Sequence, residues 1–168
     1  MPSKKSPTRP GTATRNIFQD GPHLTCFVVC EKILEEANGT KSLIRIVDRF
    51  TKTARGADIP EAMPPYSVQV SLLISLKRGD GGKDRHKYQI KFQNSSGEIV
   101  EGISGTFVFE AGPSAGVDIS ANANLQFDRE GTYWIELWVD HVRMTRLPLN
   151  VRYITQKAQG PSPGVSIQ

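Results

Sequence analysis

The chain is poor in the residues that most often carry chemistry: its 168 positions hold two cysteines, three histidines and two tryptophans. Four positions apart on an extended strand, Cys26 and Cys30 stand about 13 Å from one another at ~3.3 Å per residue, too far for a disulfide. They read as small core side chains in a reducing compartment, and with only His23 nearby they make no metal site. No apolar run approaches the ~20 residues that a membrane helix needs, and no apolar segment follows the basic N-terminus as it does in an export signal. The expectation is a soluble, cytoplasmic protein with no membrane attachment. Helical periodicity is also missing, and the one helical candidate is the short, acid-rich stretch from Glu31 to Ala37.

The formal charge of +4 carries less meaning than its size suggests. Lys4, Lys5, Arg9 and Arg15 lie in a Pro/Ser/Thr-rich stretch without an acid, and the remaining 17 Lys and Arg are matched by 17 Asp and Glu. A neutral body with a basic arm gives no reason to expect specific nucleic-acid binding. Residues 1–22 have the composition of a disordered basic arm, and 154–168, rich in Pro, Gly and Ser, that of a disordered tail. Between them, 23–153 has the size of one domain.

Within that domain the dominant signal is alternation with period two, the mark of strands that bury one face. Tyr66, Val68, Val70, Leu72, Ile74 and Leu76 alternate with Ser67, Gln69, Ser71 and Ser75, Leu73 being the exception. Residues 87–93 and 117–128 repeat the pattern, and further strands are readable at 24–30, 42–50, around 98–101, and at 105–110, 131–140 and 143–153. Asn38-Gly39, Ser95-Ser96-Gly97 and Asp80-Gly81-Gly82 supply turns. Residues 51–65, with Pro60, Pro64 and Pro65, read as an irregular crossover between sheets. The fold class is all-β: an antiparallel β-sandwich of eight or nine strands, immunoglobulin-like or related, with a closed barrel as the alternative. Pro148 cannot donate to a ladder, so it marks a sheet edge or a bulge in the last strand.

At Val29-Cys30-Glu31-Lys32-Ile33-Leu34, Ile44 to Phe50, Gly131 to Leu137 and Leu147-Pro148-Leu149-Asn150-Val151, the sequence resembles a family of short bacterial β-sandwich proteins of unassigned function. The resemblance covers roughly 23–153, implies a bacterial, cytoplasmic protein and brings no catalytic residues with it. The closing Gly-x-Tyr strand, turn and final strand are also similar to the end of many immunoglobulin-like modules. There the turn is Asp-Gly; here it is Asp140-His141, which points to a loop longer than two residues because histidine tolerates φ > 0 less well.

Gly112-Pro113-Ser114-Ala115-Gly116 matches the pattern of a hydrolase nucleophile elbow, with Asp128 or Asp140 and then His141 in the required order. That elbow needs a strand-to-helix turn, whereas 117–127 alternates as a strand, so the match is taken as coincidence and no enzyme is expected. No cofactor or metal is expected either. Candidate binding residues lie on surfaces. Trp134, Glu136 and Trp138 share one face of their strand and form an aromatic platform for a sugar, a small ligand or a protein, unless a neighbouring strand or the 51–65 segment covers the rings. Arg45 and Arg49 share a face of the 42–50 strand, while Asp48 points to the apolar side and needs a structural partner. Lys83, Arg85 and Lys87 lie in a basic loop. The expected function is a non-catalytic binding module with a protein partner. The alternatives are ligand binding at Trp134/Trp138 and homo-oligomerisation through the edge near Pro148.

Overall fold

The computed structural model describes residues 21–79, 84–110 and 115–157. Nine strands follow one another: β1 (His23–Glu35), β2 (Lys41–Ile46), β3 (Arg49–Gly56), β4 (Tyr66–Lys77), β5 (Arg85–Gln93), β6 (Ile99–Val108), β7 (Gly116–Phe127), β8 (Gly131–Val139) and β9 (Val142–Lys157). They form two sheets, ordered β2-β1-β4-β7 and β3-β9-β8-β5-β6. Every pairing is antiparallel except β3 with β9, which is parallel. With β1, β4 and β7 as strands A, B and E, and β5, β8 and β9 as C, F and G, this is the immunoglobulin-type order of a sandwich. No barrel closes.

The alternating residues of β4, β5, β7 and β8 meet between the sheets, where Leu72, Ile74, Ile90, Ile135 and Leu137 are at most 1% exposed. Leu73 and Cys30 are buried too, but neither belongs to this inter-sheet cluster. They lie on the opposite side of the four-stranded sheet, where Val28 pairs with Leu73 and Cys30 with Ser71. That placement explains the exception in the alternation of β4 and removes Cys30 from the central core. Cys26, half-buried, shares its side.

Several boundaries differ from the sequence reading. Glu31 to Glu35 continues β1 instead of starting a helix, because Glu35 to Ile33 pair with Lys41 to Leu43 of β2. The 42–50 segment is not one strand: β2 ends at Ile46, the chain crosses at Val47-Asp48, and β3 joins the other sheet, so that the irregular crossover shrinks to residues 57–65. Residues 99–108 form one strand through Gly102 and Gly105. At Gly105 a Cβ would stand 2.6 Å from the Tyr88 ring, so glycine is what lets that aromatic side chain lie across the strand. β9 runs four residues past the expected limit at Tyr153. The rest of that tail, and residues 1–20 of the arm, lie outside the described residues.

Pro148 sits where the edge reading requires it. β9 pairs with β8 from Val142 to Val151, whereas β3 joins its other side only from Asn150 onward. Among the described residues the stretch 142–149 is therefore an open edge, and the proline lies just before the strand becomes internal. The β8–β9 turn is tighter than expected: Asp140 and His141 both take positive φ, 45° and 68°, between the paired Val139 and Val142. Two left-handed residues make a two-residue hairpin of the primed type. Among the described residues no helix is long and apolar enough to cross a membrane.

Candidate functional site

The candidate surface is the outer face of the five-stranded sheet, and strand register decides who shares it. Trp134, Glu136 and Trp138 of β8 oppose Gln93, Lys91 and Gln89 of β5 on one side, and Pro148, Arg146 and Arg143 of β9 on the other. Glu136 is only 3% exposed although it points away from the core. Its carboxylate accepts hydrogen bonds from Trp138 Nε1 at 2.9 Å and Arg143 Nη1 at 3.2 Å, and stands 3.4 Å from Arg146 Nε. A buried carboxylate is costly unless it is paired, and here three donors from two strands meet it.

Arg146 and a further cation, Lys91, cap the indoles. Arg146 Cζ lies 4.0 Å from the Trp134 ring centroid, and Lys91 Nζ 4.2 Å from that of Trp138. Arg146 Nη2 also donates to Gln93 Oε1 at 3.0 Å, which ties β9 to β5 across β8. The cover is supplied by flanking strands; the crossover packs elsewhere, where Met63 enters the core and Pro60 O accepts from Tyr153 Oη. Cations on an indole face favour a fixed geometry, so these rings are not bare platforms.

Around this lattice the face is strongly basic. Arg49 and Arg55 of β3, Arg143, Arg146 and Arg152 of β9, and Arg85, Lys87 and Lys91 of β5 lie on it in register. Against these eight, Glu136 is the one acid among the described side chains of that face's strands. The balanced body charge thus conceals a segregated surface: elsewhere Glu31, Glu35 and Asp118 belong to strands of the other sheet.

The sequence-derived candidates divide accordingly. Trp134, Glu136, Trp138, Arg49, Arg85 and Lys87 come together, although Arg85 and Lys87 are strand residues and not part of a loop. Arg45 is separated from Arg49, because the two sit in different sheets. Arg45 takes φ 50° and pairs with Glu31 at 2.9 Å, a contact that holds its guanidinium further above the usual range. Asp48 is exposed at the crossover, not on an apolar face: the turn away from β2 carries its side chain to solvent while its carbonyl accepts from Asn150 N at 3.1 Å. Lys83 lies outside the described residues, as do Gly112 and Ser114 of the elbow-like match. Gly116 opens a strand, and the Asp140 carboxylate contacts His86 Nδ1 at 2.8 Å.

Two clusters escaped the sequence reading. His86 is buried against Phe107 and Phe109, with Asp140 clamping β5 through Lys87 N at 3.0 Å. The Tyr133 hydroxyl reaches back to Asp128 Oδ1 at 2.7 Å and Arg129 O at 3.0 Å, the corner by which immunoglobulin-like sandwiches fasten the turn into strand F. This contact holds the Asp128 carboxyl below its usual range, while burial, then Asp128, pushes Tyr133 up. The signal was present as Asp128-x-x-Gly131-x-Tyr133. At the same end an open cleft of about 620 Å³ is lined by Tyr66, Ser67, Asn124 and Gln126. Among the described residues no group of three or more His, Cys, Asp and Glu is placed to hold a metal ion.

Comparison with known proteins adds a family but no activity. No curated protein matches the chain. Among solved structures, the chain is similar to the CARDB domain of a Pyrococcus furiosus protein, solved in complex with di-metal ions, at 13% identity and a TM-score of 0.36. That match covers 75% of this chain and 87% of the other. The model of a family of unknown function, DUF6941, matches residues 25–152, from the third residue of β1 into the second half of β9 and across the whole basic face, and the chain belongs to that family.

Proposed function

We propose that this chain is a non-catalytic interaction module that docks an acidic protein surface on the outer face of its five-stranded sheet. The observation that carries this reading is the gathering of eight cations on one flat face whose only described acid is the buried Glu136. Five strands ~4.8 Å apart and about nine residues long offer roughly 700 Å², close to one partner's share of a standard interface. Arginine and tryptophan are the side chains most enriched at interface hot spots, and here Glu136 fixes their rotamers before any partner arrives. Stacking of a sugar on the indoles is disfavoured, because each ring already carries a cation. Catalysis is disfavoured by the lack, among the described residues, of a nucleophile, base and oxyanion donor converging on one point.

The test compares three tagged full-length chains in a lysate of the native host: the wild type, Arg49→Glu/Lys87→Glu/Arg152→Glu, and a control with Ser67→Glu/Gln69→Glu/Asn124→Glu on the other sheet. The reading expects a partner with an acidic surface that the wild type and the control retain and the face variant loses. Its retention should weaken as salt rises. Equal recovery by the face variant, or retention indifferent to salt, refutes it.

A further inference from the structure

We infer that the acidic partner is anchored by an extended segment with carboxylates at alternate positions, seated in a shallow trough between β5 and β6. This inference rests on the acidic-partner reading and narrows it from the whole basic face to one strip of it.

The trough follows from residue size. β6 pairs with β5 in unbroken register from Gly102, opposite Lys91, to Val108, opposite Arg85. Its outward positions there are Gly102, Ser104 and Thr106, whereas β5 and β8 raise Lys87, Gln89, Lys91 and Trp138 beside them. Two depressions of about 270 and 260 Å³ result, and because both are lined by Gln89 and Ser104 they run together over positions 102 to 106, ~13 Å of strand.

The polar groups of this strip are uncommitted. Among the described residues neither lysine ammonium is in an ion pair, and the Ser104 and Thr106 hydroxyls and the Gln89 amide have no hydrogen-bond partner. Arg143 and Arg146, by contrast, are held by Glu136, and Asp140 in the adjoining turn is directed to His86 Nδ1 and Lys87 N. Lys91 stands opposite Glu136 in the ladder, yet its ammonium lies 4.2 Å from the ring centroid of Trp138, which is opposite Gln89. That contact carries the charge two residues, ~6.6 Å, toward Lys87, so the two cations flank Gln89.

In an extended segment the side chains on one side are also ~6.6 Å apart, and acids at i and i+2 therefore meet this pair of cations. Hydroxyls and an amide, which both donate and accept, suit the peptide groups between the acids. No arginine lines either depression, so the planar fork that grips a phosphoryl group in two places is missing, which favours carboxylates.

The experiment titrates a labelled hexaglutamate peptide with the full chain and follows fluorescence anisotropy at salt from ~0.01 to ~0.15 M, with hexaglutamine as the uncharged control. Lys87→Gln/Lys91→Gln should weaken hexaglutamate binding at least about tenfold. Arg49→Gln/Arg152→Gln removes the same charge from the far side of the sheet, where β3 is four strand spacings from β6, about 19 Å, and should change binding less than about threefold. Ser104→Tyr/Thr106→Tyr, at two exposed positions, fills the trough without altering charge and should weaken binding as the lysine variant does. Inorganic phosphate should compete no better than chloride at equal ionic strength. Hexaglutamate that does not bind the wild type, a filled trough that binds as the wild type does, or specific competition by phosphate overturns the inference. Equal weakening by the two charge-removing pairs overturns it as well, while leaving an acidic partner on the whole face. Hexaglutamate held in the trough, with no acidic partner recovered from the lysate, instead refutes the broader reading and upholds the trough.

Discussion

Replacing Glu136 isolates what holds the basic face in place. Its side chain is 5% exposed, while those of Arg143 and Arg146 are 52% and 38% exposed, so removal of the carboxylate lets both guanidiniums recover water. Each of those ion pairs therefore contributes no more than about 0.5–1 kcal/mol. The bond from Trp138 Nε1 is different, because a donor facing a buried carboxylate is worth roughly 1.5 kcal/mol or more. With the methylenes that Glu136→Ala withdraws from contact, the expected loss is about 3 kcal/mol, or a fall in Tm of roughly 6–12 °C for a chain of this size. Glu136→Gln keeps an acceptor for the indole and removes both the charge and its desolvation cost, so about 1 kcal/mol is expected. Urea unfolding followed by tryptophan fluorescence measures both, and a double-mutant cycle with Arg146→Ala should return a coupling near 1 kcal/mol. A Glu136→Ala variant within about 0.5 kcal/mol of the wild type, or a glutamine variant as unstable as the alanine one, refutes this account.

Two further outcomes follow from the corner and the turn. Tyr133→Phe removes the bond to Asp128 and should cost about 1.5 kcal/mol near neutral pH. Because the folded carboxyl titrates below its unfolded value, that stability is present above pH ~4 and is lost as pH falls through the folded value; the phenylalanine variant should lack this acid-side dependence in urea midpoints taken from pH 6 to 2. His141→Gly relieves a left-handed side-chain position at φ 68° and should raise the unfolding free energy by about 0.5–1 kcal/mol, read as a higher urea midpoint, whereas His141→Val should lower it; equal midpoints for the two would show that the turn is not strained.

Much of the architecture is written in local pattern. Period-two alternation in β4, β5, β7 and β8 identifies strands and assigns each residue a face, since one face of each must leave water, and that same parity already joined Trp134, Glu136 and Trp138. The Asp128-x-x-Gly131-x-Tyr133 spacing carries the corner in a stretch of six residues. Pro148 reports an open edge because it lacks a donor. What parity along one strand does not contain is the identity of its neighbours. Ile44, Ile46 and Arg49 look like one strand, but the chain changes sheets at Val47-Asp48, so the isoleucines end 42% and 68% exposed and Arg49 joins a different face from Arg45.

The amino-acid sequence by itself determined that the chain is built of alternating strands, which residues of β4, β5, β7 and β8 turn toward a core, and that its body carries balanced charge. Only the tertiary structure decided where that charge goes. Sheet order places β3 and β9 beside β8 and β5, bringing together cations from residues about 100 positions apart, covering two indoles and burying a glutamate that looked exposed. Strand pairing is a long-range choice, and the energy of a charge is set by what lies within a few ångströms of it, not by its place along the chain.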